Sequence, residues 1–598
     1  MSDNRGSLAH RFWQDAANSK LAPPALYARQ RQILEKYVLP CLKPNGRLLD
    51  IGCGDGEFTE VLARDCIEAL GIDLSPSLID QARQRAAGSG ALSFEVGDIR
   101  GAAVSGSYDI VACMGLFTCI VRPEDFIRTA RLAVDALKPG GYLVLKDSLI
   151  LGGGTEHYFR DDRYEALYRT EAEYLAEFTQ HGLRVVQRHP LHTGNQANQV
   201  SVLYLLHRPV AQQPSEDRPC SGKAATKIAI FHQLPESWVN VRSVWECAVA
   251  DPNVEPIVVV IPFFHDSYDW RRDEVERHLA SLGVPFVPWD EFSPASAGLD
   301  TVIYTSPYDE TRPNEYRFEQ LRESVPCIAY VPYGLEVGGG EHNLIYQYGQ
   351  PVTTQASAVF VRSAGVKRMF AKHCPTGDRH VVVSGHPRMD GLVDLDDFPV
   401  APDLLAEIGG RRAVLWNAHF SFDSDQWSTF DRFAGDIFTA FDDRPDLALL
   451  FRPHPLLWKK LVNLGIFDES GIAALKEELR QKGVVVDERA DHRHAFAAST
   501  AMLSDVGSFL MEYLCTGKPV LYLRNPFGLG LNEEGEAVVR HYQVAEDKAG
   551  LVGFLDALRK GEDFQRDRRL AAIPDFFYGF DGGGGRRVIE HLKATVGK

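Results

Sequence analysis

Three glycines, at 52, 54 and 56, follow the apolar run Leu48-Leu49-Asp50-Ile51 and precede a helix-like stretch over 57–63. A strand that turns into a helix through alternate glycines lets backbone approach a ligand closely, because glycine tolerates dihedrals that a side chain resists. Carboxylates stand where such a turn would use them. Asp50 precedes the loop, Asp73 ends the next apolar run, and Asp98 follows the third in Gly97-Asp98-Ile99. A carboxylate at the end of the second strand can accept both hydroxyls of a ribose. A second group lies far along the chain. Arg452 and His454 sit in Phe451-Arg452-Pro453-His454-Pro455, and Asp505, Gly507, Ser508 and Glu512 in the stretch 504–513. His419 follows another apolar run, 414–417. A guanidinium fork, a histidine and the free amides of a helix read over 506–514 suit a phosphate group.

These residues need elements to hold them. Short apolar runs at 47–51, 67–72, 92–96, 108–113 and 141–145 alternate with helix-like stretches such as 77–87. A helix over 170–181 and strands over 183–186 and 200–206 close this region. Alternation of this kind predicts an α/β fold, with a mainly parallel sheet covered on both faces. Residues 208–223 turn rich in Pro, Gln, Ser and charge and read as a linker. A second alternating series starts at 227 and a third at 413. Two more Rossmann-like units in succession suggest two lobes with a cleft between them. The domains read as 1–207, a linker over 208–226, a lobe over 227–395 and a lobe over 396–598.

Composition narrows the function. At 598 residues the chain is too long for one core. A net charge of -17 argues against a nucleic-acid partner, which would need a basic face. The 10 cysteines contain no C-x-x-C pair, so neither a zinc site nor a disulfide framework is read, and no metal is expected. Asp394-Leu395-Asp396 reads as a solvated turn. The start lacks a signal peptide and no apolar run reaches a membrane span, so the expected location is the cytoplasm, with at most peripheral contact at the inner face of the membrane.

A G-x-G-x-G loop alone would serve NAD as well. With Asp50, Asp73, Asp98 and the turn Leu137-Lys138-Pro139-Gly140-Gly141, residues 34–207 resemble the class I S-adenosylmethionine-dependent methyltransferases. The resemblance implies that Asp50, Gly52 and Gly54 flank the methionine part, with Gly56 completing the loop. Asp73 would hold the ribose, and Asp98 with Ile99 the adenine. Cys113-Met114-Gly115-Leu116 lacks the motif used on nucleic-acid amines, which favours a small-molecule or sugar oxygen. Asp147, after the run 142–146, and His157, in the Gly-rich loop beyond, are candidate bases, with structural roles as the alternative. The segment 12–29 forms a lid or packs on the sheet.

Residues 227–598 resemble the CDP-glycerol glycerophosphotransferases of teichoic-acid and capsule synthesis. The motifs are Arg-Pro-His-Pro at 452–455, Ser-Asp-x-x-Ser-x-x-x-Glu-Tyr at 504–513, and the stretch 385–390 with Arg388. The resemblance implies a GT-B fold with the nucleotide in the C-terminal lobe. Arg452 and Ser508 would contact phosphates, Asp505 or Glu512 the ribose or glycerol hydroxyls, and His454 would act as base or charge stabiliser. Arg388, His419 and Gly507 complete the donor-binding set. One departure stands out: the family's His-Gly-Thr motif is replaced by Tyr330-Val331-Pro332-Tyr333-Gly334. Either Tyr333 or another group, such as His342, activates the acceptor, or donor and acceptor differ from the family's.

The expectation is a bifunctional enzyme of surface-polysaccharide synthesis. It would use S-adenosylmethionine and CDP-glycerol, or another nucleotide-activated donor, on a glycan or lipid-linked glycan. Glycosyl transfer from a nucleotide sugar is the alternative reaction, and a glycan-binding module without catalysis is the alternative of another class.

Overall fold

A computed structural model describes residues 7–14, 22–88, 90–98, 108–152, 154–193, 198–209, 225–265, 270–423, 425–563 and 565–596. Ile99 and most of the expected linker lie outside the described residues. The N-terminal sheet contains β1 (Arg47–Ile51), β2 (Glu68–Asp73), β3 (Leu92–Val96), β4 (Tyr108–Met114), β5 (Leu137–Ile150), β8 (Arg184–Thr193) and β9 (Gln199–His207). Its order is β3-β2-β1-β4-β5-β9-β8, parallel except that β9 runs antiparallel to β5 and β8. A hairpin, β6 (His157–Arg160) and β7 (Glu165–Tyr168), stands apart from this sheet. His157 therefore opens a strand, where the sequence reading put it in a loop.

The second sheet orders β10 (Thr226–His232), β11 (Val254–Val260), β12 (Val287–Pro288), β13 (Thr301–Tyr304), β14 (Cys327–Tyr330), β15 (Ala358–Val361) and β16 (Val381–Val383) as β12-β11-β10-β13-β14-β15-β16. The third orders β17 (Arg412–Asn417), β18 (Leu447–Phe451), β19 (Val485–Val486), β20 (Ser499–Ser504), β21 (Val520–Leu523) and β22 (Gln543–Ala545) as β19-β18-β17-β20-β21-β22. Both are parallel throughout. The protein is thus α/β, a Rossmann-like domain followed by two further Rossmann-like lobes. The parallel part of each sheet reverses its strand order once, at β1/β4, β10/β13 and β17/β20, and ligands of such sheets bind beyond the strand ends at that switch.

Two features tie the units together. The helix Gly584–Val596 buries Val588, Ile589 and Leu592 among Ile228, Ile230 and Val244 of the second sheet's layer. The boundary read at 396–598 had assigned this helix to the last lobe. The N-terminal domain also shares one hydrophobic cluster with the first lobe, running from Val38 and Leu203 to Phe231 and Tyr304. Buried Asp290 anchors that junction. It accepts Tyr142 Oη across it at 2.9 Å and both terminal nitrogens of Arg272 at 3.0 and 3.1 Å. Among the described residues no helix is long and apolar enough to cross a membrane.

Candidate functional site

Beyond β1 the chain enters the glycine loop. Gly52, Gly54 and Gly56 have φ of 77°, 57° and 76°, a region unfavourable to residues with a Cβ. At Gly54 an added Cβ would meet nothing within 4 Å, so open space lies over the loop. Gly56 differs: its Cβ would stand 2.9 Å from the Phe94 ring, and it serves close packing away from the cavity wall. Asp73 shapes the loop by accepting Gly54 N and Ser75 N, each at 2.9 Å.

A cavity of about 430 Å³ opens here, lined by Asp50, Gly52, Gly54, Asp73, Gly97 and Asp98. Asp50 is 1% exposed. Thr59 Oγ1 donates to its Oδ2 at 2.6 Å, and its Oδ1 has no hydrogen-bond partner. Burial pushes the Asp50 carboxyl up to about 7, opposed by Thr59 and reinforced by Asp73. Burial likewise raises Asp73 against the amides of Ser75, Gly54 and Leu74. An orphaned buried carboxylate oxygen, a carboxylate at the end of β2 and an open glycine loop fit S-adenosylmethionine. Asp50 would meet its amino group, Asp73 the ribose and Asp98 the base.

This yields a pH test. Ionised Asp50 attracts a ligand ammonium, and protonated Asp50 does not. With a pKa near 7, S-adenosylhomocysteine affinity is expected to fall about tenfold between pH 8 and pH 6, as the ionised fraction falls from about 0.9 to about 0.1. Asp50→Asn should flatten the profile in calorimetric titrations; a profile unchanged by the substitution would remove Asp50 from the donor contact. The same raised pKa costs the ligand-free fold stability as pH rises toward 7, since the unfolded carboxyl ionises first.

The two candidate bases fare differently. Asp147 lines the cavity but accepts Phe117 N (3.3 Å), Thr118 N (2.9 Å), Thr118 Oγ1 (2.7 Å) and Tyr174 Oη (2.9 Å). Its four acceptor sites are occupied, and its evident work is to fix the loop after β4. His157 stacks on Tyr168, ring centroids 6.1 Å apart, and is not in the cavity wall. The wall instead gains Trp13 from the helix Ser7–Trp13, Tyr164 and Tyr168 from the hairpin, and Lys146 from β5. None of the four was singled out as a site residue in the sequence; only the lid expected over 12–29 touched one of them.

In the last lobe the structure gathers His419, His454, Asp505 and Gly507 past the ends of β17, β18 and β20, at the switch point. Asp505 accepts His419 N and Thr429 N, each at 2.8 Å, and burial pushes its carboxyl up to about 7. The His419 and His454 rings lie 5.2 Å apart. Each accepts a backbone N–H at Nδ1, from Ser421 and Leu456 respectively, both at 3.1 Å. That leaves each Nε2 to carry the proton and donate. Burial pushes His454 down to about 4, so it is neutral at pH 7. Of base and charge stabiliser, the geometry favours the hydrogen-bond donor.

Other expected donor contacts are engaged within the protein. Arg452 donates to Asp487 Oδ2 at 2.5 Å and to Arg489 O at 2.6 Å. Arg388 Nε donates to Glu512 Oε2 at 2.6 Å, linking the lobes, and Glu512 Oε1 is buried without a hydrogen-bond partner. The helix read over 506–514 is the short turn Phe509–Glu512 with Ser508 at its cap, continued by a 3-10 turn, so it offers little dipole for a phosphate. Tyr333 is 47% exposed, its hydroxyl 3.2 Å from that of Tyr308. Beside it Glu336, absent from the sequence reading, is pushed up to about 7 by burial. The Gly338-Gly339-Gly340 loop docks on the last lobe: Gly339 N donates to Gly530 O at 2.9 Å, and Asn532 N to Val337 O at 2.8 Å.

Comparisons agree with the first site. The family model described as "Methyltransferase domain" matches residues 48–141, and the N-terminal region is a methyltransferase domain. "Ubiquinone biosynthesis O-methyltransferase" of Xanthomonas axonopodis pv. citri (strain 306) is 35% identical over 147 residues, 24% of this chain and 58% of its own length. The mitochondrial protein of that name from Schizosaccharomyces pombe (strain 972 / ATCC 24843) is 32% identical over 147 residues, 24% and 53% of the two chains. The chain thus spans a little over half the length of these curated relatives. Among solved structures, a UDP-N-acetylglucosamine 2-epimerase covers 63% of this chain and 97% of its own at 16% identity and a TM-score of 0.44. N-methyltransferase NodS from Bradyrhizobium japonicum WM9, in complex with S-adenosyl-L-homocysteine, covers 34% and 97% at 22% identity and a TM-score of 0.27.

Proposed function

We propose that the chain is a two-site transferase of cell-surface polysaccharide synthesis. The N-terminal site moves a methyl group from S-adenosylmethionine to an acceptor oxygen. When bound, that donor supplies an electrophilic methyl on a sulfonium. The protein's part is to hold the donor through Asp50 and Asp73 and to bring the acceptor in line. The observation that carries this reading is the cavity shared by the open glycine loop and the orphaned Asp50 oxygen.

The two C-terminal lobes transfer glycerol-phosphate from CDP-glycerol to a glycan or lipid-linked acceptor. The paired Nε2–H donors of His419 and His454 at the β17/β20 switch support it, since they suit a phosphoryl group gaining charge as CMP leaves. Two sites on one chain keep each product near the next reaction. A second reading, glycosyl transfer from a nucleotide sugar, is favoured by Tyr333 standing where the resembling family has the histidine of its His-Gly-Thr motif.

The test is CMP release from CDP-glycerol, with and without an oligosaccharide acceptor. His454→Ala is expected to lower turnover about a hundredfold, the usual loss for one removed transition-state donor. No CMP from the wild type, but a nucleoside diphosphate from a nucleotide sugar, would decide for the second reading.

A further inference from the structure

The methyl-donor cavity continues past the glycine loop over β4 and β5, and this end holds polar groups that the donor reading leaves unused. Lys146, near the carboxyl end of β5, lines it together with Gly115 and Cys119. Its ammonium stands 4.0 Å from where a Cβ on Gly115 would lie. Among the described residues no carboxylate comes within ion-pair distance of it. Asp147, next in the chain, spends its oxygens on Phe117, Thr118 and Tyr174. Burial lowers the lysine's hold on its proton, with only Asp147 and Cys119 opposing from a distance. An ammonium in a cavity wall without a close counter-ion either gives up its proton or is stabilised by an anion that comes to meet it.

A second observation points the same way. Trp13, on the helix Ser7–Trp13, lines the cavity too, and its indole Nε1 is buried without an oxygen or nitrogen partner among the described residues. The Cys119 thiol interacts with it weakly. The helix is fixed there by Leu8 N and Ala9 N, which donate to Glu165 Oε1 at 2.9 and 3.3 Å. The Trp13 and Tyr164 rings meet edge to face at 6.1 Å. Aromatic rings, an indole among them, and one unpaired ammonium therefore border a common space.

Strand order says which ligand this space receives. Asp73 ends β2 and Asp98 follows β3, so the donor's nucleoside lies to that side of β1. Lys146 lies on the opposite side, two strands from β1, or roughly 10 Å at normal strand spacing. We infer that Lys146 binds an oxyanion of the methyl acceptor, so the acceptor is an anionic molecule. The oxyanion is either the reacting hydroxyl in its ionised form or a carboxylate beside it. The inference rests on the methyl-donor reading of the same cavity.

The experiment uses the full chain saturated with S-adenosylhomocysteine and measures binding of two matched probe pairs by calorimetry. Benzoate is compared with benzamide, and 4-nitrophenolate with nitrobenzene. The expected result is that the wild type prefers at least one anion about tenfold or more, a gap of the size one charge-assisted contact gives. Lys146→Met should abolish the preference and Lys146→Arg restore it. A preference for nitrophenolate assigns the charge to the reacting oxygen; a preference for benzoate assigns it to a neighbouring carboxylate. Arg122 and His10 also line the cavity, so a preference that survives Lys146→Met overturns the assignment to Lys146. So does the lack of any preference in the wild type. Lost S-adenosylhomocysteine affinity in Lys146→Met would give the lysine to the donor's carboxylate and overturn the inference as well. A wild type that does not bind S-adenosylhomocysteine would instead bring down the donor reading, and this inference with it.

Discussion

Asp73→Ala is expected to weaken S-adenosylhomocysteine binding by a hundredfold or more while the protein stays folded. Asp73 accepts Gly54 N on one oxygen and Ser75 N on the other, each at 2.9 Å. Those bonds leave a lone pair on each oxygen for the two hydroxyls of a ribose. A hydrogen bond to a charged group contributes about 1.5–3 kcal/mol, so losing two costs about 3–6 kcal/mol of binding. That corresponds to about a hundredfold to ten-thousandfold in Kd. The loop would also lose its tie at Gly54, which adds to the loss. Stability should change little, because burial raises the Asp73 pKa and removing a carboxyl that ionises unwillingly offsets the two lost backbone bonds. Asp73→Asn should fall between, since its amide oxygen still accepts while its nitrogen cannot. Calorimetry on the two variants, with thermal unfolding as the control, decides. An alanine variant that binds as tightly as the wild type would mean that no ribose is held at the end of β2.

The sheets were legible because their strands are buried on both faces and read as unbroken apolar runs. β17 and β18 show this, with Ala413 to Trp416 and Leu447 to Phe451 all in the core. The glycine loop was legible because its φ values demand glycine. What stayed hidden depends on chain segments meeting at a distance. The end of the cavity beyond the glycine loop is built from Trp13, Lys146, Tyr164 and Tyr168, which share no spacing and no pattern. The short hairpin that supplies the two tyrosines lies outside the main sheet and carries no strong alternation. Glu336 reads as an ordinary surface glutamate until the packed loop half-buries it. The return of the helix Gly584–Val596 to the first lobe is equally invisible, since an amphipathic helix does not name the surface it covers. The motif residues of the last lobe were legible as a set, but their partners were not. Arg452 reads as a free phosphate fork and is found held by Asp487, 35 residues on.

Glu512 shows the same limit, and its replacement carries the second large effect. The sequence presents it as part of a donor-binding motif. In the fold its side chain is 0% exposed and meets Arg388 from the other lobe at 2.6 Å. His492 Nε2 lies 3.0 Å from the same oxygen. Burial alone would raise this carboxyl, but Arg388 and His492 prevail and hold it well below the usual range. A depressed folded pKa means stability present at neutral pH and lost only as pH falls below the ordinary glutamate value near 4.5. Glu512→Ala leaves Arg388 buried with Asn240 as its remaining partner, a break that costs about 3–5 kcal/mol. With about 2–4 °C per kcal/mol for lobes of this size, Tm should fall by about 6–20 °C. The double variant Arg388→Met/Glu512→Leu should recover most of that, because it removes both charges and fills their space. The same pair separates a clasp between lobes from a ligand contact. Glu512 Oε1, buried and unpartnered, is the atom a donor hydroxyl would need. If the clasp is its whole role, the double variant melts near the wild type and binds CDP-glycerol as the wild type does. If Oε1 also receives the donor, the double variant is stable and no longer binds it. An unchanged Tm in Glu512→Ala would refute the clasp itself.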